Sequence, residues 1–354
     1  MPETDVVELH RSFVRIPSIS RDEGPLAEAV RDYLSASPLD VVMPGNNVVA
    51  TLGDGPKTLL LCTHLDTVPP SRNHPHGIYD ARVVDDQVWG RGAVDAKASL
   101  ACMTHTLFRL ASEGWSPGGG RLVGAFTACE ETGGENNGLE EVLPQIGRID
   151  GALVGEPTHM NPCVAQKGLL ILRLDSPGVS AHAARPAGGV NAISHAADDI
   201  LALNRLEFDR VHPDLGKTTL QVTTIDGGSA RNVIPDLCTF YVDIRSTPSY
   251  RHEEIVEMVR ATVRSSVHIH SDRFVPVGTD PTDDIVRVCL EAHPGAATFG
   301  SPTMSDWIYL KGVPTVKIGP GDSRLSHTSE ERIDTRELQR SSDMYRDIIL
   351  RYFG

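Results

Sequence analysis

The chain contains no run close to the roughly 18 apolar residues that a membrane-spanning helix needs. It carries no basic stretch or stripe, and its net charge is −14, which argues against a nucleic-acid partner. The N-terminus, Met-Pro-Glu-Thr-Asp, lacks the basic and apolar regions of a signal peptide, so a cytoplasmic address is expected by default and no membrane partner is. The six cysteines (62, 102, 129, 163, 238, 289) show no CxxC pair and no framework spacing. Neither a cysteine-ligated metal nor a disulfide scaffold is therefore expected. Cys129 stands beside two glutamates, which would raise its pKa, and no motif marks it as a nucleophile. Internal repeats and low-complexity segments are also missing.

What is present describes an ordinary globular chain, 40% hydrophobic and 23% charged. Its 354 residues suggest two domains, at about 150 residues each. The first part alternates helix and strand. Pro25–Ser37 and Ala98–Ser112 read as helices, the latter with Leu100, Met103, Leu107 and Leu110 at core spacing. Asn47–Leu52, Thr58–Cys62, Leu122–Ala128 and Ala152–Val154 read as strands, and Leu139–Ile146 as a short helix. Such alternation predicts an α/β domain with a mostly parallel sheet.

Near Gln166 the pattern changes. Strand Leu169–Leu174 and helix Asn191–Leu203, with Ile193, Ala197, Ile200 and Leu201 inward, come first. Strands Thr219–Thr224 and Thr239–Ile244, helix Glu253–Val263 and strand Val267–Ile269 follow. The order β-α-β-β-α-β is a ferredoxin-like arrangement, expected as an insertion over residues 166–275. Residues 276–354 then return to the first domain, begun by residues 1–165, through helix Asp283–Ala292, strand Thr315–Ile318 and helix Arg336–Tyr352.

Candidate chemistry lies where strands end. In an open α/β sheet, ligands bind beyond the carboxyl ends of the strands. His64-Leu-Asp66, Glu130-Glu131 and Gly155-Glu156-Pro157 each follow an apolar run, Asp95 lies in Gly90-Arg-Gly-Ala-Val-Asp95-Ala-Lys97, and His327 lies in a late loop. Read alone, His64-Leu-Asp66 fits a polar turn as well as a metal-binding histidine whose second nitrogen meets a carboxylate. Paired glutamates are ordinarily a solvated surface, and a loop histidine is ordinarily solvated. At a strand end, adjacent glutamates point apart, so one can bind metal while the other moves protons. Taken together, the set of His, Asp and Glu donors without cysteine suits zinc or a similar divalent ion.

With these motifs in this order, the chain resembles the dizinc deacylase and exopeptidase family of acetylornithine deacetylase, succinyl-diaminopimelate desuccinylase, aminoacylases and glutamate carboxypeptidases. The matching stretches are Thr63–Pro69, Gly90–Lys97, Glu130-Glu131-Thr-Gly, Gly155–Thr158, Gly300–Asp306 and Gly319–His327. The resemblance implies two zinc ions, with cobalt able to substitute. Asp95 would bridge them, His64 and Glu156 would complete one site, and Glu131 and His327 the other. It also implies Glu130 as general acid/base, Asp66 as the partner of His64, and the insertion as a lid through which a homodimer forms. His182, in Ser180-Ala-His182-Ala-Ala-Arg185-Pro, would serve the oxyanion; a capping or core histidine is the alternative. Arg185, Asn232 and Arg245 would hold the substrate, although Arg245 also fits a salt bridge at a strand end. One departure is Ala98, where the family usually has glycine. Relatives often have a cis peptide after the bridging aspartate, so only a slightly altered helix start is expected.

The stretches Ala181–Pro186 with Gly189–Ile193, Asn232–Phe240 and Ile318–Thr328 look most like acylornithine and acylcitrulline deacylases of arginine biosynthesis. A small N-acyl amino acid, acetylated or succinylated, is the substrate so implied. Succinyl-diaminopimelate desuccinylase and the aminoadipate-route lysine/ornithine hydrolases are the nearest alternatives. A dipeptidase or carboxypeptidase, and a silent metal-binding homologue, stand further off.

Overall fold

A computed structural model describes residues 5–354, which divide into two compact units. The first comprises the chain up to Val164 together with Gly278–Phe299 and Ser305–Gly354; the second comprises Ala165–Val277 and Gly300–Met304.

In the first unit, strands Gly120–Thr127, Lys57–His64, Gly151–Val154 and Thr315–Lys317 lie side by side in that order, all parallel. Val48–Leu52 and then Asp40–Val42 extend the sheet antiparallel beyond Gly120–Thr127. The fold is thus mixed α/β with a parallel centre. Lys57–His64 is buried from Thr58 onward, as a central strand covered on both faces must be. Helix Lys97–Ser112 is buried along most of its length between the helices Val6–Val14 and Thr335–Phe353. The last of these turns Leu338, Tyr345, Ile348 and Tyr352 inward. Tyr345 also donates from its hydroxyl to the Ile318 carbonyl at 2.6 Å.

The second unit has strand order Thr219–Gly227, Leu237–Ser246, Gly168–Pro177, Ser266–Phe274, every pair antiparallel. With helices Ala192–Leu203 and His252–Thr262 this gives β-α-β-β-α-β in chain order. Alternate residues Leu170, Leu172 and Leu174, and Phe240, Val242 and Ile244, are buried, the period-2 signature of a sheet with one covered face.

One helix face departs from expectation. In Ala192–Leu203 the buried residues are Ala192, Ala196, Asp199 and Leu203, whereas Ile193, Ala197 and Leu201 are exposed. The cause is Asp199, whose carboxylate accepts from the Arg264 and Ser265 N–H groups at 3.0 and 2.9 Å. A buried acid satisfied by backbone rotates the apolar stripe away from where hydrophobicity alone places it. The helix Val6–Val14 and a small sheet of Arg82–Val84, Gln87–Trp89 and Arg332–Asp334 are elements that the sequence patterns did not suggest.

His10, on the first helix, is 0% exposed. Its Nε2–H donates to the Ala93 carbonyl at 2.8 Å, while Nδ1 has no partner among the described residues. Burial therefore lowers its pKa to about 4, and the folded ring stays neutral. The unfolded ring takes up a proton as pH falls through its ordinary value of 6.5, so stability is lost from there down to about 4. Each pKa unit is about 1.4 kcal/mol. The stability gap between wild type and His10→Gln is expected to narrow by about 3 kcal/mol from neutral pH to about pH 4. Denaturant unfolding at both pH values measures it, and a pH-independent gap contradicts the neutral ring.

Candidate metal centre

The parallel strands carry the candidate donors to one end of the sheet. His64 is the last residue of Lys57–His64, and Glu130-Glu131 and Glu156 follow the ends of Gly120–Thr127 and Gly151–Val154. The turn at Glu156 depends on close approach. A Cβ on Gly155 would meet Ser99 Cβ at 2.8 Å and Thr63 Cβ at 3.0 Å, so only glycine lets the loop cross there. Gly321, at φ +94° and against Val94, shapes the loop that delivers His327. The two loops are laced together: Thr158 and Met160 N–H donate to the Gly319 carbonyl, and His159 N–H to that of Gly321.

The donor atoms converge on Asp95, whose peptide bond to Ala96 is cis. His64 Nε2 lies 3.2 Å from Asp95 Oδ1 and 3.8 Å from Glu156 Oε1. On the other side, His327 Nε2 lies 3.4 Å from Asp95 Oδ2 and 2.8 Å from Glu131 Oε1. Donor atoms of His64, Asp95 and Glu131 all fall within 4.8 Å of one another. Asp95 therefore stands between a His64–Glu156 pair and a His327–Glu131 pair. Helix Lys97–Ser112 starts immediately after this turn, with Ala98 buried in its first turn.

The loop bearing the glutamates is held by its backbone. Ala128 N–H donates to Asn47 Oδ1, Cys129 N–H to Glu23 Oε1, Glu130 N–H to Asp66 Oδ1 and Glu131 N–H to Asp66 Oδ2. Ser20 Oγ donates to Asp66 as well, at 2.7 Å. Asp66 meets the His64 ring through two of its groups. His64 Nδ1 is 2.9 Å from the Asp66 carbonyl oxygen and 3.5 Å from its carboxylate. The carbonyl and the carboxylate of Asp66 both face the ring, and the carboxylate also accepts from the Glu130 and Glu131 N–H groups. Glu23 and Asn47 escaped sequence reading because each lies in a polar stretch with no motif around it.

Charge in this crevice is unbalanced. Asp95, Glu130, Glu131 and Glu156 face two imidazoles. Burial, with Asp95 nearby, raises the Glu156 pKa to about 8. Burial and the surrounding carboxylates also push Glu130 well above the ordinary glutamate range. Hydrogen bonds to Asp95 and Glu131 raise His327 to about 10. For His64, burial alone would lower the pKa, yet Asp66 and Asp95 hold it well above the ordinary value. Crowded carboxylates with imidazole nitrogens and no sulfur form a set that fits divalent cations.

Asp306, another buried acid, accepts from Asn137 Nδ2 at 2.6 Å and Thr127 Oγ1 at 3.3 Å. Its pKa is raised by burial to about 6. The remaining candidates lie in the second unit. His182, on the short strand Ala181–His182, pairs with Val233, and Ala183 N–H donates to the Asn232 carbonyl. His182, Arg185 and Asn232 are exposed and lie close together at this two-stranded pairing. Arg245 forms a two-pronged ion pair with Asp243, Nε at 2.8 Å and Nη2 at 3.0 Å.

A family model described as a peptidase dimerisation domain matches residues 164–269. A protein of Mycobacterium tuberculosis named as a succinyl-diaminopimelate desuccinylase is 31% identical, over 99% of this chain and 98% of its own length. An acetylornithine deacetylase of Myxococcus xanthus is 29% identical, over 85% of this chain and 82% of its own. Among solved structures, an aminopeptidase of Bacillus cereus superposes with a TM-score of 0.81 at 20% identity, covering 99% of this chain and 98% of that one. No helix among the described residues is long and apolar enough to cross a membrane. The fold, the converging donors and these likenesses agree: the chain belongs to the M20 family of metal-dependent hydrolases acting on amide bonds, alongside the desuccinylases and acetylornithine deacetylases.

Proposed function

We propose that the chain is a dizinc amidohydrolase that removes the acetyl or succinyl group from an N-acyl amino acid, with N²-acylornithine or acylcitrulline as the substrate. The observation that carries the reading is Asp95 poised between the His64–Glu156 and His327–Glu131 pairs, with Glu130, its pKa pushed up by burial, next to Glu131. His64, Glu156, Asp95, Glu131 and His327 would hold two zinc ions, which supply Lewis acidity toward the amide carbonyl and acidify water. Glu130 accepts a proton from the attacking water as its oxygen bonds to the carbonyl carbon. It returns that proton to the amide nitrogen as the C–N bond breaks, releasing a carboxylic acid and an amine. The proton left on the acid passes to the amine, so that they leave as carboxylate and ammonium. A glutamate with a raised pKa suits both halves of this transfer, because its carboxylate is a stronger base toward water than an ordinary glutamate and its protonated form still gives the proton to the departing amine.

In the second unit, His182 serves the oxyanion, and Asn232, Arg185 and Arg245 hold the amino-acid part. Arg245 offers Nη1 to a carboxylate while Nε and Nη2 stay on Asp243. The match to the dimerisation domain supports a homodimer through this unit. The second reading, succinyl-diaminopimelate desuccinylase, is favoured by the likeness to the Mycobacterium tuberculosis protein.

Amine release from acetylornithine, acetylcitrulline, succinylornithine and succinyl-diaminopimelate, with zinc and with chelator, tests the proposal. Preference for an ornithine or citrulline compound, abolished by chelator, is the expected result. Turnover of the diaminopimelate compound alone transfers the protein to the second reading. Turnover of none, with two ions bound, removes both and turns the search to peptides.

A further inference from the structure

Beneath the donors lies an ion pair that the catalytic scheme does not use. Arg91 is 2% exposed and Glu331 1%. Arg91 Nη1 donates to Glu331 Oε2. The other Glu331 oxygen, Oε1, accepts from two successive backbone N–H groups, Val94 at 3.1 Å and Asp95 at 3.0 Å. Arg91 Nη2 donates to the His327 carbonyl at 3.3 Å and to Ser71 Oγ at 2.8 Å. Each end of the pair thus lands on the backbone of a donor residue. Those two residues place Asp95 Oδ2 and His327 Nε2 3.4 Å apart.

The chain brings this about through the small sheet. Arg332 pairs with Trp89, and Gly90 N–H donates to the Glu331 carbonyl at 3.2 Å. Just past that rung, one strand runs on into the Asp95 turn, and the other is entered from the His327 loop. A buried ion pair is poor evidence for stability by itself, because desolvation offsets the attraction. Here each partner also reaches one of the two ligand-bearing turns: Glu331 Oε1 accepts from the Val94 and Asp95 N–H groups, and Arg91 Nη2 donates to the His327 carbonyl. We propose that Arg91 and Glu331 are positioning residues of the metal centre, fixing the spacing between Asp95 and His327 so that both address the same ion. The inference rests on the metal-hydrolase reading above, and it assigns the pair no contact with substrate.

The test uses the full-length chain, zinc as the probe, and the variants Glu331→Gln and Arg91→Met/Glu331→Met. The double variant removes both buried charges, which restores packing, but leaves the Val94 and Asp95 N–H groups and the His327 carbonyl unheld. Zinc affinity is read by competition with a chromogenic chelator, ligand geometry by the visible spectrum of the cobalt form, and folding by cooperative thermal unfolding. Both variants are expected to fold and to bind zinc about 10–100-fold more weakly than wild type, with an altered cobalt spectrum. The double variant is expected to regain thermal stability without regaining affinity. Wild-type affinity and spectrum in either folded variant overturn the inference. So does failure of both variants to fold in saturating zinc, which would make the pair a general prop of the core. Wild-type protein that binds no zinc instead defeats the metal reading itself, a result that needs no variant to detect.

Discussion

Glu130→Gln is expected to lower amide hydrolysis by about 10²–10⁴-fold while leaving bound metal near the wild-type level. The amide side chain has the size of the carboxylate but cannot take a proton from water. Its place in the structure survives, because the backbone N–H of residue 130 is held by Asp66 Oδ1 at 3.1 Å whatever the side chain. The donors His64, Asp95, Glu131, Glu156 and His327 are untouched. Turnover rate and metal per chain, measured on the same sample, check this. An unchanged rate removes Glu130 from the proton transfer, and joint loss of metal and rate makes it a ligand instead.

Removing divalent metal is expected to destabilise the fold by about 4 kcal/mol, compared with protein held at a thousand times the dissociation constant. The reason lies in the crevice. Glu156, pushed up to about 8 by burial and by Asp95, has its charged form disfavoured there, and a bound cation relieves that crowding. The thermal midpoint with excess zinc, with chelator, and for Asp95→Ala under both conditions measures the effect. Zinc is expected to raise the midpoint of wild type and to leave that of Asp95→Ala nearly unmoved, because Asp95 lies between the two donor pairs. Equal midpoints for wild type with and without zinc contradict a cation site there.

Much of the fold was legible because the controlling patterns are local. The apolar runs of the parallel strands and the alternation in Leu237–Ser246 follow directly from burial on two faces or on one. The donors were legible in part because strand ends concentrate ligands. What escaped were long-range backbone anchors. Asp66 reads as a partner for a histidine ring; its carboxylate also holds the Glu130–Glu131 backbone, 64 residues or more away in sequence, which no local pattern suggested. Glu331, in Ser329-Glu-Glu-Arg332, looks like a solvated charge cluster and is 1% exposed. Asp199 looks like a polar interruption of a helix and is in fact its inward face. In each case a buried acid is satisfied by N–H groups whose proximity no local pattern encodes.

The central claim is that two ions, held by the donors around Asp95, enable amide hydrolysis in which Glu130 carries the proton. Its most direct test titrates zinc into metal-free protein while bound zinc and amine release are counted on the same samples. The account predicts that metal-free protein releases no amine and that activity rises with bound zinc to a plateau at two ions per chain. Full turnover in the metal-free protein, or saturated zinc binding without effect on the rate for any acyl amino acid or peptide, would contradict it.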